Sequence, residues 1–289
     1  MVPKAPVPPR RGERPVQTFT PESLDEVAAL LLAADGEAPP VLRGGCLRSD
    51  RLALEVRRVP ELNRLDYDER NGLRAGVAVS LAEFLAFPPA RLYPALTDAA
   101  ACLPPRPEPT LGEALGWMRD GLHLRCGLFC LPASVAVFGP HGWSEIAAEA
   151  VFAEAAPPAV QSREFLVDLR LPAPPPYSSG AYQAGDWPGT SAATGGAGVV
   201  LAMEPDGKRC CGGRLSFWTV SRPPMRILEV ERYLAGKLLD ERAAADAGDL
   251  ADEVWRLGQP GKGSAWEASP RALCRAAIVK TLDRLGRAL

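Results

Sequence analysis

A run of proline, serine and glycine, APPPYSSGAYQAGDWPG, follows a strand-like apolar stretch, EFLVDLRL, and splits the chain into two unlike parts. Proline at 172, 174, 175 and 176 permits neither a helix interior nor a central strand, so the run reads as a linker and as the best domain boundary in the sequence. Before it, helix-period and strand-period segments alternate; after it come two strands and then helices. That order predicts an α+β protein, with an α/β first unit and then a small antiparallel sheet with helices. The expected boundaries are an extended proline-rich arm over 1–14, a first domain over 15–176 and a second over 177–289.

Within the first part, TPESLDEVAALLLAADGEAPPVLRGG opens with Thr20 as an N-cap and Pro21 at the first helical position, then Leu24, Val27, Ala28 and Leu31 at helical spacing. Gly36 ends that helix, and PPVL is a short buried strand running into the glycine loop RGGC. Leu73, Ala75, Val77 and Val79 alternate as a strand, and Ser80 caps the helix after it. PALTDAAACL is a helix that stops at Pro104. LPASVAVFGPHGWSEIAAEAVFAEA is expected to give a strand, a Gly-Pro turn and a helix capped by Ser144. In the second part, AGVVLAM and RCCGGRLSFWTV are strands joined at Asp206-Gly207, a strong hairpin signal. Helices are expected over 226–237, 241–257 and 270–289, each with apolar residues at i, i+3 and i+4.

A net charge of -2 gives no global basic field, which argues against nucleic acid as a partner. Seven cysteines without the spacing of a secreted scaffold point to reduced thiols in a cytoplasm. No run of about 18 apolar residues is present, so no membrane span is expected. Two histidines, His123 and His141, are too few for a histidine-based zinc site. Cys126 and Cys130 lie in an apolar run and read as small buried hydrophobes, whereas Cys210 and Cys211 point to opposite faces of a strand. The tryptophans are spread out and read as core or subunit-contact residues. No nucleophile, base and orienting group stand in a recognisable frame, and no catalytic or metal-ligating residue is assigned.

Several stretches carry a resemblance along nearly the whole chain: FTPESLDEVAALLLAADGEAPPVLRGG, VPELNRLDYDERNGLRAGVAVSLAEFL, PTLGEAL, REFLVDLRLPAPP, AGDW and the closing SPRALCRAAIVKTLDRL. The chain resembles the medium, FAD-binding (PCMH-type) subunit of the molybdenum hydroxylases, the xanthine dehydrogenase and aerobic carbon monoxide dehydrogenase group. The resemblance implies a two-subdomain α/β FAD-binding domain followed by a small antiparallel sheet with helices. It also implies partners: a large subunit with molybdopterin that hydroxylates substrate, and a small subunit with two [2Fe-2S] clusters, with a dimer of heterotrimers as one assembly open to them. The medium subunit would take electrons from the clusters onto FAD and deliver them to an acceptor.

By that resemblance, two glycine loops hold the FAD diphosphate with backbone N–H groups. In the first, Gly44 and Gly45 match the family; Arg43 replaces alanine, and Cys46 and Leu47 follow where polar ligands are expected. An arginine there can pair with phosphate, but a leucine supplies no hydroxyl donor. In the second, Thr110, Leu111 and Gly112 match, while Glu113 stands at the second glycine and Ala114 at the asparagine. Continuing without gaps puts Arg119 and Asp120 at a serine or aspartate-proline pair and His123 at a later aspartate. Glu113 reads as a solvated loop carboxylate; within about 4 Å of a diphosphate it would cost several kcal/mol at intermediate dielectric. Tyr182 would border the isoalloxazine, and AYQAGDW lacks the basic segment that the family carries there. Two readings follow: an electron-transferring flavoprotein subunit, or a subunit of the same complex with a degenerate flavin site and a structural or docking role.

Overall fold

The structure is a computed structural model that describes residues 17–33, 41–43, 46–48, 52–103, 109–116, 121–152, 164–186, 193–257 and 269–286. The expected arm over 1–14 lies outside them. The first strands and helix are β1 (Gln17–Phe19), α1 (Leu24–Ala33), β2 (Val41–Arg43), β3 (Cys46–Arg48) and β4 (Leu52–Glu55). They build a sheet in the order β1-β4-β3-β2, parallel between β1 and β4 and antiparallel elsewhere. Helix α1 begins three residues after Pro21 because Ser23, not Thr20, offers the cap: its Oγ accepts from the Glu26 N–H at 3.2 Å. Leu24, Val27, Ala28 and Leu31 form its buried face, against Leu54, Leu62 and Phe165.

The second unit comprises β5 (Leu65–Asp68), β6 (Gly72–Gly76), α2 (Leu81–Ala86), α3 (Pro94–Ala101), α4 (Leu111–Gly116) and α5 (Leu122–Phe129). It continues through β7 (Ser134–Gly139), β8 (Gly142–Ala147), α6 (Ala148–Phe152) and β9 (Phe165–Leu171). Its antiparallel sheet has the order β5-β6-β9-β7-β8, and helices α2 to α6 bury their apolar faces on it. Ser80 caps α2 as expected, in a capping box with Glu83. The helix expected from Ser144 starts only at Ala148, because Gly142–Ala147 is a strand. Gly142, at φ +88°, closes a tight hairpin in which Gly139 faces it, so the chain turns straight back and Ser144 pairs with Val137 inside β8.

The third unit has the antiparallel sheet β10 (Ser178–Asp186), β11 (Ala193–Met203), β12 (Cys210–Thr219) and β13 (Arg222–Arg226), in that order, followed by α7 (Leu228–Leu234), α8 (Glu241–Leu257) and α9 (Pro270–Arg284). The hairpin at Asp206-Gly207 is present, with Gly207 at φ +68°. Two expectations are corrected here. The linker is shorter than expected, because 178–186 is a strand laddered along β11 despite its glycines and serines. The helix expected from 226 starts at Leu228, because Arg222–Arg226 is an edge strand that tolerates Pro223 and Pro224. Cys210 is buried and Cys211 exposed, as the strand alternation requires.

Close approach at the junction of the second and third units depends on two glycines of β11. A Cβ on Gly196 would lie 1.8 Å from the Tyr182 hydroxyl, and one on Gly198 would lie 2.8 Å from the Cys130 sulfur on the C-terminal side of α5. Asp98 on α3 clasps the same junction. It accepts from Arg284 at 2.8 Å, from Lys280 at 2.9 Å and from the Tyr182 N–H at 3.1 Å. Burial raises the Asp98 pKa, but the Arg284 and Lys280 bonds and the Tyr182 N–H outweigh it and hold the carboxyl below its ordinary 3.8. A depressed carboxyl contributes stability above the unfolded pKa and loses it as pH falls through the folded one. We therefore expect Asp98→Asn to cost about 1–2 kcal/mol at neutral pH, discounted for the partly exposed cations, with the gap closing as pH falls below about 3.8. Urea unfolding of both chains across that range measures it.

Candidate functional site

The expected second phosphate loop is the start of α4, and its local chemistry is that of a helix cap. Thr110 and Glu113 make a reciprocal pair: the Glu113 N–H donates to the Thr110 Oγ at 3.2 Å, and the Thr110 N–H donates to the Glu113 carboxylate at 2.9 Å. The Thr110 hydroxyl lies 3.3 Å from the same carboxylate oxygen. The expectation that Glu113 is a solvated loop carboxylate is corrected, since it is half-buried and bonded to its own helix start.

The remaining first-turn donors are also committed. Leu111 N–H donates to the Val79 carbonyl and Gly112 N–H to the Val77 carbonyl, both at 2.9 Å, and Ala114 N–H closes the first helical turn on Thr110. Thr110 additionally bridges Ser80, and the Pro109 carbonyl accepts from the Leu81 N–H. At the other end, the buried Arg125 donates to the carbonyls of Leu115 and Gly116, the last of the helix. Burial lowers the pKa of that guanidinium. Helix α4 is thus tied at both ends by the chain itself. We expect Thr110→Val and Glu113→Ala each to cost about 1 kcal/mol in urea unfolding, and the double variant to cost less than their sum because both remove one capping box.

The first loop is flanked by β2 and β3, which pair antiparallel with Arg43 opposite Cys46 and Leu42 opposite Leu47. Cys46 and Leu47 are therefore strand residues, whereas Gly44, Gly45 and the side chains of Arg43, Cys46 and Leu47 lie outside the described residues. Helix α4 packs against β2, so the flanks of the two expected loops adjoin. Arg119 and Asp120 also lie outside the described residues.

His123 and Tyr182, separated by 59 positions, are brought together and buried at 5% and 2% exposure. The Tyr182 hydroxyl lies 2.8 Å from His123 Nδ1 and accepts from the Trp218 Nε1–H at 2.8 Å. An indole N–H only donates, so the phenol oxygen accepts from Trp218, while its bond to Nδ1 runs in the direction set by the His123 tautomer. Burial pushes the Tyr182 phenol well above its ordinary range. His123 also stands edge-on to both rings, 5.0 Å from Trp218 and 5.6 Å from Tyr182 between centroids. This is a satisfied buried network between α5 and the third sheet. Sequence reading took Trp218 for a core or subunit-contact residue and did not join it to His123 and Tyr182; the signal for that was its place in β12 opposite Gly196.

Cys126 and Cys130 are fully buried, each 3.1 Å from the Ser216 hydroxyl, and burial pushes the Cys130 thiol to about 11. Among the described residues no cluster of histidine, cysteine or carboxylate side chains has the arrangement of a metal site, and no helix is long and apolar enough to cross a membrane. The residues at 110–113 do not fit a bound diphosphate. Their N–H groups have acceptors within the chain, and a carboxylate occupies the turn.

No family model matches the chain. The carbon monoxide dehydrogenase medium chain of Afipia carboxidovorans is 30% identical over 141 residues, 47% of this chain and 46% of that protein, so the match spans about half the length of that relative. Among solved structures, a chain of the reconstituted CO dehydrogenase from Oligotropha carboxidovorans superposes with a TM-score of 0.76 at 20% identity, covering 95% of this chain and 99% of the other. A chain of quinoline 2-oxidoreductase from Pseudomonas putida 86 does so with a TM-score of 0.76 at 22% identity, over 95% and 99%. Likeness at these identities carries the fold. The chain is thus similar in sequence, across 47% of its length, to a carbon monoxide dehydrogenase medium chain, and shares its fold over nearly all of its length with chains of CO dehydrogenase and quinoline 2-oxidoreductase.

Proposed function

We propose that the chain serves as the medium subunit of a molybdenum hydroxylase complex, with a structural and docking role and no bound FAD. Its partners in this reading are a large molybdenum-cofactor subunit and a small [2Fe-2S] subunit, and the substrate chemistry belongs to the large one. The observation that carries the reading is the start of α4, where Thr110 and Glu113 cap each other and the N–H groups of Leu111 and Gly112 bond to Val79 and Val77. Holding a diphosphate there would require breaking those bonds and placing phosphate oxygens beside the Glu113 carboxylate. The burial of Tyr182 under Trp218 and His123 supports the same reading, because the tyrosine expected beside a flavin ring has its hydroxyl spent on neighbours.

A second reading keeps FAD as the electron carrier between the partner's clusters and an acceptor. The sequence match to a carbon monoxide dehydrogenase medium chain favours it. In both readings we place the boundary of the FAD-binding-type domain in the link after β9 and the complex in the cytoplasm, in keeping with buried thiols at Cys126, Cys130, Cys210 and Cys274 that form no disulfide. Purifying the complex through this chain and assaying molybdenum, iron and acid-released flavin separates the readings. Molybdenum and iron with no released flavin is the expected result; one flavin per copy of the chain would replace the structural reading with the second.

A further inference from the structure

One face of the third sheet packs on α7 to α9, and the other turns toward the second unit. On that other face, β10, β11 and β12 set Ser178, Ala202 and Gly212 in one row across the strands and Gly180, Val200 and Arg214 in the next. The second row is filled: a Cβ on Gly180 would lie 2.8 Å from a Val200 methyl and 3.2 Å from the Ala95 Cβ. The first row is not, for a Cβ on Gly212 would meet nothing within 4 Å.

The space left is a crevice of about 390 Å³ at the junction of the two units, within the range of about 300–1,000 Å³ usual for small-molecule sites. Its floor includes the row Ser178, Ala202 and Gly212, which carries only small side chains above the sheet. Its wall is Pro132 with Pro172, Pro174 and Pro175 of the link, whose fixed φ angles keep the wall from folding inward. Next to that wall Tyr177 holds φ 56°, the one positive value among described non-glycine residues. The turn is secured by the Met203 N–H on the Tyr177 carbonyl at 3.0 Å and the Ser178 hydroxyl on the Pro175 carbonyl at 2.6 Å. A left-handed tyrosine in an exposed turn marks a backbone shape that the link maintains against its own preference.

Among the described lining residues Arg214 alone carries charge; it donates to Glu149 and to the Phe129 carbonyl. Glu149 balances that charge, so an ionic ligand would find no net counter-charge there. We propose that this crevice binds a neutral, planar aromatic molecule of one or two rings, lying on Gly212 and Ala202 and clasped by the proline wall. The site shares no residue with the expected cofactor loops or with His123 and Tyr182, and an occupant would touch both units and hold them together.

The test uses the full chain and 6-propionyl-2-(dimethylamino)naphthalene, a neutral, planar two-ring dye whose emission shifts to the blue in apolar surroundings. Saturable one-site binding and a raised unfolding temperature are expected. Gly212→Leu and, separately, Ala202→Leu should each weaken that binding roughly tenfold or more while retaining the wild-type far-UV circular dichroism. The Gly212 side chain would enter open space, and Ala202→Leu is an independent plug of the same floor. No saturable binding to the wild-type chain, or binding that a folded plugged variant leaves unchanged, would overturn the proposal.

Discussion

Tyr182→Phe is expected to destabilise the folded chain by about 2–4 kcal/mol. The phenylalanine ring preserves the packing among His123, Cys126 and Trp218, so the loss comes from the hydroxyl alone. Two buried polar atoms, Trp218 Nε1–H and His123 Nδ1, would lose a partner at 2.8 Å each. A stranded buried donor or acceptor costs about 1–3 kcal/mol, because water is not there to replace what is removed. In a His123→Leu background the same substitution should cost less, since only the indole is then stranded. Urea unfolding of the four chains gives the coupling. A cost below about 0.5 kcal/mol for Tyr182→Phe would show that the hydroxyl does not hold this junction.

Asp168→Ala is expected to cost about 3 kcal/mol. Asp168 lies on β9 with its side chain 2% exposed, accepting from Arg74 at 2.7 Å and Arg170 at 2.8 Å. Arg74 and Arg170 are directly opposite each other on β6 and β9, so without the carboxylate two guanidinium groups would face across one pair of strands. The Arg170 link to Glu145 extends the network to β8 but leaves Arg74 uncompensated. The effect reaches α4, because the chain after β6 supplies the Val77 and Val79 carbonyls that take the Gly112 and Leu111 N–H groups. Asp168→Asn keeps the shape and should lose less. Denaturant midpoints at constant slope measure both.

Much of this fold can be read in the residues, where local chemistry and tertiary packing agree. Ser80 and Glu83 cap α2, Asp206-Gly207 turns the β11–β12 hairpin, and the period of 241–257 matches α8 end to end. The misread segments are those whose state is decided by a partner strand. Ser178–Asp186 carries glycines and serines that local propensity disfavours, yet β11 pairs with it throughout. Gly142–Ala147 and Arg222–Arg226 are strands for the same reason.

At the candidate site, the residues of 110–113 carry two superimposed signals. Thr-Leu-Gly matches a phosphate turn by family likeness, while Thr110-x-x-Glu113 before an apolar run is a capping box by its own chemistry. The structure satisfies the second signal. The pairing of His123 with Tyr182 was not legible, since nothing local joins positions in different units. It depends on Gly196 leaving room for the phenol.

The most direct test of the structural reading is a calorimetric titration of the purified full chain with FAD, repeated with Glu113→Gly. No saturable binding is predicted for the wild-type chain, and none for the variant either, because removing the carboxylate leaves the Leu111 and Gly112 N–H groups bonded to Val79 and Val77. Saturable one-to-one binding of FAD to the wild-type chain would contradict the account.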